Sequence, residues 1–262
     1  MARVPKVRLE NLELSRLVCG TNPFLGISHF TPSRDLLLRE YFTAERIAEV
    51  VGYVLEEFGV NAVISSPRDE IHSAIETVER EVGERLHWIC TPSDQRVTAA
   101  GLEADLSQQI RWCAERGVSV CMPHRSFTDA HLHAATNEIT GLEPHLAQIR
   151  DLGMVPGLST HYHETLRVVA RRKYDVALVV QPINPLGFMC NLEVNSLAKT
   201  IRASSVQVLA IKPFAAGRVL PEVGLPFVLN SIKPNDFVAC GFDGLPNADY
   251  DCQLFLELLA GR

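Results

Sequence analysis

The sequence predicts a single α/β barrel of eight parallel strands, each followed by a helix. Short apolar runs alternate with longer amphipathic stretches, which is typical of strands that helices cover on both faces. Eight such runs are present, and eight strands close a (β/α)8 TIM barrel. The 262 residues, 47% of them hydrophobic, suit one barrel of this kind, so we expect residues 1–262 to form one domain.

The first element is a predicted β-hairpin from Val7 to Leu14, with Asn11 in its turn. Its apolar residues alternate with charged ones, as in two strands with one buried face. It directly precedes the first barrel strand, so we expect it to plug one end of the barrel. The predicted barrel strands are Leu17–Gly20, Ala62–Ser65, Leu86–Thr91, Ser119–His124, Val155–Ser159, Val176–Gln181, Gln207–Lys212 and Phe237–Cys240.

The stretches between the strands predict helices, because their apolar residues recur at three- and four-residue spacing. Thr43, Thr98 and Asn247 stand where capping side chains are expected. The predicted helices are Thr43–Phe58, Ile71–Val82, Thr98–Arg116, Gly141–Leu152, His163–Arg172, Leu192–Ser204, Pro221–Asn230 and Asn247–Leu259. Two long segments, Thr21–Phe42 and Arg125–Thr140, follow strands 1 and 4. Barrel sites are built at the C-terminal ends of strands, so both segments are candidate lids or pocket walls.

Composition narrows the class of partner. A net charge of −6 and a pI near 5.9 argue against nucleic acid, because proteins that bind it carry a concentrated basic face. The start MARVPKVRLE lacks the apolar core of a signal peptide, and no apolar run reaches the ~18 residues of a membrane span. The seven cysteines form no close-set pair, which favours free thiols in a reducing compartment. We therefore expect a cytoplasmic protein whose partner is a small molecule, with no membrane or nucleic acid partner.

Several segments resemble strands of the aldo-keto reductases. The opening VRLENLELSRLVCGTNPF is similar to the hairpin and first strand of that family, and CMPH is similar to its fourth strand, which ends in a histidine. The segments that resemble strands two, four, five, six, seven and eight are Gly59–Ser66, Cys121–His124, Pro156–Tyr162, Gln181–Gly187, Lys212–Leu220 and Ala239–Gly244. The matches occur in order along the whole chain, so the resemblance implies the same barrel.

Reductases of that family reduce a carbonyl with NAD(P)H, using a tyrosine, a lysine, an aspartate and a histidine. The resemblance carries only the histidine over, as His124. The aspartate position falls on Ile64 or Ser65, and the tyrosine position falls on Asp69 or Glu70. The segment CTPSD stands where the lysine is expected. A tyrosine with its usual pKa near ~10 needs a nearby cation to donate its proton at neutral pH. With both groups missing, we predict a divergent member that does not use the usual chemistry.

Four residues, Ser159, Gln181, Ala216 and Gly217, resemble positions that hold the nicotinamide and pyrophosphate of the cofactor. The segment after strand 8, GFDGLPNADYD, is acidic, where the family commonly places basic residues. Because an acidic lining repels a phosphate, we expect NAD(P)H binding to be weak or absent.

The residues that could take part in catalysis or binding fall on the predicted C-terminal face of the barrel. They are His29, Asp69, Glu70, Asp94, His124, His161, His163, Lys212 and Asp243. His124 ends a strand, where it serves either acid–base chemistry or a structural hydrogen bond. Lys212 ends an otherwise apolar strand. It either binds an anion, pairs with an acid such as Asp243, or forms a Schiff base.

A divalent metal is a second interpretation of these side chains. His124, His161, His163 and Asp243 would supply the mixed nitrogen and oxygen ligands that suit zinc. No compact metal-binding motif accompanies them. The alternative is that one of His161 and His163 caps the next helix and the other faces solvent.

The leading functional hypothesis is an enzyme that acts by acid–base chemistry on a small polar or anionic metabolite. His124 would be the acid or base, Asp69 or Glu70 its partner, and Lys212 the stabiliser of an anion or oxyanion. Lyase, isomerase and hydrolase reactions all fit. The alternatives are a divergent NAD(P)H-dependent oxidoreductase and a non-catalytic barrel that binds a small molecule.

Overall fold

The computed structural model describes residues 2–93, 97–98, 101–102 and 105–261, and for the pairs 97–98 and 101–102 it describes the backbone alone. Its strands are β1 (Lys6–Leu9), β2 (Leu12–Ser15), β3 (Leu17–Gly20), β4 (Ala62–Ser65), β5 (His87–Cys90), β6 (Val97–Thr98), β7 (Gly101–Leu102), β8 (Val120–Cys121), β9 (Leu132–His133), β10 (Glu138–Ile139), β11 (Val155–Ser159), β12 (Leu178–Pro182), β13 (Gln207–Ile211) and β14 (Phe237–Gly241).

Helices alternate with these strands. They are α1 (Pro32–Tyr41), α2 (Ala44–Phe58), α3 (Asp69–Val82), α4 (Leu106–Glu115), α5 (Arg125–Ala130), α6 (Leu142–Asp151), α7 (Glu164–Arg172), α8 (Val194–Ala203), α9 (Pro221–Ser231) and α10 (Leu245–Ala260). Within the described ranges, every helix is too short or too polar to cross a bilayer.

The predicted barrel is confirmed. Strands β3, β4, β5, β8, β11, β12, β13 and β14 pair in parallel in that order, and β14 closes on β3 through the pairs Cys240↔Cys19 and Gly241↔Gly20. Side chains alternate along each strand between the barrel interior and the layer under the helices. On β12, for example, Leu178 and Val180 belong to the interior cluster and Val179 to the outer one.

The N-terminal hairpin is also confirmed as a plug. Strands β1 and β2 pair antiparallel from Lys6↔Ser15 to Leu9↔Leu12. Leu9 and Leu14 are fully buried and belong to the apolar cluster that fills the barrel interior. The alternation of apolar and charged residues on a two-stranded hairpin requires this arrangement, because one face must be covered.

The predicted helix Thr98–Arg116 starts later than expected. In the structure β6 and β7 form a short antiparallel pair, and α4 begins at Leu106. Asp105 caps it, its carboxylate accepting the N–H of Ser107 at 2.9 Å. A carboxylate at this position satisfies an otherwise unpaired helix N–H, so the helix begins at the stronger capping signal.

Of two other residues predicted to cap helices, Thr43 and Asn247, only the first does so. Thr43 caps α2 as predicted, its hydroxyl accepting the N–H of Arg46. Asn247 is not a cap: α10 begins at Leu245, with a proline in its first turn. The Asn247 amide instead accepts the N–H of Asp243 at 3.0 Å and donates to Asp251 at 3.1 Å.

The two long segments contain structure that the sequence pattern did not predict. Thr21–Phe42 includes α1, which Thr31 caps and which Pro32 begins; proline suits the first helical position because its missing N–H would be unpaired there. Arg125–Thr140 contains α5 and the hairpin of β9 and β10. Both segments follow strand C-termini.

Candidate active site at the C-terminal mouth of the barrel

A cavity of about 600 Å³ opens at the C-terminal end of the barrel. Each barrel strand, or the segment directly after it, contributes to the lining. His124 and Lys212 both line it, as do His29, Ser159 and His161. We call this space the mouth cavity. It lies where barrel enzymes build their sites.

Lys212 reaches the mouth cavity through an unusual backbone conformation. Regular alternation would place it opposite to Ile211, which lines the cavity, yet Lys212 lines it too. Its φ of 61° is left-handed, which breaks the alternation directly after β13. Among the described residues, no carboxylate lies within 4 Å of its ammonium group. Burial, followed by the charge of Arg125, lowers the pKa of Lys212 to about 8.

His124 lines the mouth cavity and also begins α5. Its Nδ1 accepts the backbone N–H of Ser126 at 3.2 Å. An acceptor nitrogen carries no hydrogen, so the neutral ring has its proton on Nε2. The structural role considered for His124 is therefore formed through Nδ1, and its acid–base role stays a prediction.

Arg125 follows His124 and lines the same cavity. Burial raises the pKa of Asp129, and the charge of Arg125 opposes that shift. No carboxylate of the described residues lies within 4 Å of the Arg125 guanidinium. Asp129 is itself engaged by the backbone N–H of His161, at 3.1 Å, and by the hydroxyl of Thr160. Arg125 was not among the predicted site residues. Its position directly after a strand-end histidine is the signal that could have identified it.

Two other histidines of the mouth cavity are held neutral. Burial, then the charges of Lys212 and Arg125, lower the pKa of His161 to about 3. Burial and Lys212 likewise lower the pKa of His29, although Asp35 opposes the shift. An imidazole that stays neutral at physiological pH donates and accepts hydrogen bonds without adding charge.

The segment after strand 1 partly covers the mouth cavity. Asn22, His29 and Arg34 from this segment line it. Arg34 pairs with Asp243 across the opening, and Arg218 donates to the backbone oxygen of His29 at 3.2 Å. The expected ion pair of Lys212 with Asp243 is therefore not formed, because Arg34 takes that carboxylate.

The structure does not bring Asp69 and Glu70 into the mouth cavity that His124 lines. Both stand in the exposed first turn of α3, outside the cavity lining. Asp69 lies 3.3 Å from Arg116, and Glu70 lies 3.9 Å from Arg68. Acidic residues at a helix N-terminus are stabilised by the helix dipole, which accounts for their position without a catalytic role. Asp94 lies outside the described residues.

The predicted metal ligands are not assembled either. His163 stands at the start of α7, outside the cavity lining, with Nδ1 3.0 Å from Glu164 and 3.2 Å from Asn191. Asp243 is held by Arg34, so His124 and His161 have neither expected partner. Over residues 2–93 and 105–261, no three or more His, Cys, Asp or Glu side chains converge in a manner that would bind a metal ion.

The residues that resemble a nicotinamide site fit a dinucleotide poorly. Ser159, Ala216 and Gly217 line the mouth cavity, but the N–H of Gly217 is used inside its own turn, donating to Phe214 at 2.9 Å. Gln181 is fully buried and shares the outward register of Val179, and neither of its amide atoms has a partner in the described part of the chain. The residues present therefore support no reaction step through NAD(P)H.

Comparisons with known proteins support the fold. No protein-family model matches the chain. No curated protein matches it either. Among solved structures, a protein of Pseudomonas aeruginosa described as an aldo-keto reductase is 16% identical, with a TM-score of 0.68 over 97% of this chain and 96% of that one.

The glycerol dehydrogenase of Gluconobacter oxydans is 11% identical, with a TM-score of 0.62 over 98% and 96% of the two chains. A thiamine phosphate pyrophosphorylase of Pyrococcus furiosus, at 11% identity and a TM-score of 0.53 over 94% and 95%, shares the barrel more distantly. The likeness extends over nearly the whole chain. The chain therefore has the barrel fold of the aldo-keto reductases.

Proposed function

We propose that this protein is an enzyme that binds a small anionic metabolite in the mouth cavity and acts on it by acid–base chemistry. One observation carries the proposal: Lys212 and Arg125 face the same cavity, and no described carboxylate lies within 4 Å of either cation. Lys212 is half-buried, and a partly buried cation is costly to hold unpaired, the more so because the exposed Arg125 adds a like charge to the same cavity. A bound anion would neutralise both, which favours an anionic ligand.

His124 supplies the acid–base group in this proposal. Its Nε2–H can hydrogen-bond a substrate oxygen on which negative charge develops. Nε2 can also give and take a proton when Nδ1 carries a hydrogen and donates it to the Ser126 hydroxyl, 3.0 Å away. Lys212 and Arg125 would hold the anionic group, and the neutral His161 would provide a further hydrogen bond. The cavity, at about 600 Å³, has the size of typical small-molecule sites.

Binding of anions tests the proposal. We would titrate the protein by calorimetry with mono- and dicarboxylates and small phosphate esters, each beside an uncharged amide or alcohol of the same size. We expect the charged member of at least one pair to bind, with affinity that falls as salt rises. Lys212→Met and Arg125→Gln should each weaken binding about 10-fold or more, because each removes a charge-assisted contact.

Two variants serve as matched controls. Lys199 lies exposed on α8 and Arg80 lies exposed on α3, so Lys199→Met and Arg80→Gln should bind like the wild type. Equal binding of charged and uncharged partners would contradict the proposal. Anions that bind but are never converted in an NMR-monitored turnover screen would favour the non-catalytic barrel instead.

A further inference from the structure

We propose that Lys212 is the amine nucleophile of the mouth cavity and forms an imine with a substrate that carries both a carbonyl and an anionic group. The inference rests on the proposed function, because the anion site would position the carbonyl. It adds a covalent step and a substrate class to that function.

The contrast between two lysines supports the inference. Lys233 is fully engaged: its Nζ lies 3.0 Å from the Asp236 carboxylate and donates to the backbone oxygens of Ile201 and Val206 at 3.1 and 3.2 Å. Lys212 has no comparable partner in the described residues, and its left-handed backbone turns it into the cavity. Among the described residues, the Lys212 amine is therefore left available to a ligand, whereas the Lys233 amine is one half of a structural ion pair.

The electrostatics of the cavity favour the reactive form of this amine. Only the neutral amine has the lone pair that attacks a carbonyl. Burial and Arg125 lower the pKa of Lys212 from 10.5 to about 8. At pH 7 roughly a tenth of the amine is then neutral, about 100-fold or more above the neutral fraction of an ordinary lysine.

The two cations divide the work in this chemistry. The guanidinium of Arg125 stays protonated at all relevant pH values, so it remains to hold the anionic group of the substrate. Lys212 is then available for the carbonyl. His124 lines the same cavity, and in this proposal its Nε2 serves the carbonyl oxygen.

The step balances without an oxidant or a reductant. The Lys212 lone pair forms a bond to the carbonyl carbon, and the π pair of the carbonyl moves to its oxygen. That oxygen takes one proton from the amine nitrogen and a second from the protonated form of His124, and it leaves as water while the carbon–nitrogen bond becomes double. The iminium can then accept the electron pair of an adjacent C–H bond, whose proton passes to the neutral His124 and leaves an enamine. Return of that proton from His124 to carbon forms the iminium again. Water then adds to the iminium carbon and gives one proton to His124 and the other to the nitrogen, and the carbon–nitrogen bond breaks to restore the amine and a carbonyl.

Reductive trapping tests the inference. The full chain would be incubated at pH 7 with pyruvate, with dihydroxyacetone phosphate or with acetone, treated with borohydride, and mapped by peptide mass spectrometry. We expect the reduced adduct on the Lys212 peptide at about 10-fold or more above the exposed Lys199 peptide. The carboxylate and phosphate probes distinguish the two sources of negative charge, and acetone should label weakly because it lacks an anionic group.

The variant Lys212→Arg separates the inference from the proposed function. It keeps the positive charge but has no nucleophilic amine at neutral pH. It should therefore bind pyruvate and dihydroxyacetone phosphate but form no borohydride-reduced adduct with either. Lys199→Met should trap like the wild type. If the wild type binds the probes and the Lys212 peptide stays unlabelled, or if label spreads evenly over exposed lysines, the imine is overturned and the anion site stands. If the wild type neither binds nor traps any probe, both proposals fail.

Discussion

The two ends of the barrel hold charged side chains in different ways. At the N-terminal end, Asp236 is fully buried and accepts the N–H groups of Val208 and Lys233 at 2.9 and 2.8 Å, with the Lys233 ammonium 3.0 Å away. At the C-terminal end, the half-buried Lys212 and the exposed Arg125 share a cavity, and in the described chain neither has a carboxylate within 4 Å. The charge of Asp236 is neutralised by Lys233, whereas Lys212 and Arg125 have no such partner among the described residues.

This difference indicates which end serves stability and which serves function. Removing one partner of a buried ion pair is strongly destabilising, because it leaves the other charge uncompensated. An unpaired cation in a cavity destabilises the fold as it stands, and natural proteins keep such groups where a ligand uses them. The plugged N-terminal end is therefore structural, and the open C-terminal end is where we place the chemistry.

The largest effect is expected from Asp236→Ala. The substitution leaves the Lys233 ammonium and two buried N–H groups without their acceptor, so it should lower the free energy of unfolding by about 3–5 kcal/mol. Urea denaturation measures the change. Anion binding by the folded fraction should persist, because the residue lies at the opposite end from the cavity. A loss below about 1 kcal/mol would show that the pair is not structural.

His124→Ala should have the next largest effect, now on activity. Losing an acid–base group lowers turnover of the eventual substrate by about 100-fold or more. Stability should fall by only about 1 kcal/mol, from the lost cap of α5. The exposed His133, mutated to alanine, provides the control. An unchanged rate in the His124 variant would remove this residue from the mechanism.

Lys212→Met should change stability in the opposite direction to Asp236→Ala. The folded state lowers the pKa of Lys212 from 10.5 to about 8. Below pH 8 Lys212 is therefore charged in both states, and its charge is less favourable in the folded protein than in the unfolded chain. Between pH 8 and 10.5 the unfolded chain binds more protons, so wild-type stability rises with pH over this range. The variant should therefore be more stable than the wild type below pH 8, and the difference should shrink toward pH 10.5.

Thermal unfolding across this pH range would show the effect. The exposed Lys199→Met variant should follow the wild type at every pH. If the advantage of Lys212→Met is constant with pH, the lysine is not the titrating group.

The smallest expected signal concerns NADPH. We expect a dissociation constant above roughly 0.1 mM, equivalent to about 5 to 6 kcal/mol, because Asp243 stands at the mouth and the N–H of Gly217 is already bonded. Titration by nicotinamide fluorescence measures it. Micromolar binding would instead support the divergent reductase.

The sequence by itself determined the architecture. Apolar runs of period two and amphipathic stretches of period 3.6 predict strands and helices locally, and their alternation leaves a parallel barrel as the arrangement that buries both. The plug and the position of His124 followed in the same way, because Leu9 and Leu14 alternate on one face and a strand end must lie at the mouth. α1 was missed because it lies in the connection between β3 and β4, where the alternating pattern predicts a single helix, α2.

Only the tertiary structure decided the composition of the site. Whether a side chain beyond a strand end enters the cavity depends on backbone torsions and on neighbours distant in sequence. Lys212 enters because of its left-handed φ, whereas Asp69 turns outward to Arg116. The sequence pattern allowed an ion pair between Lys212 and Asp243, but in the structure Arg34 of α1 pairs with Asp243. Periodicity describes regular elements, and the residues with chemistry lie at the points where that regularity ends.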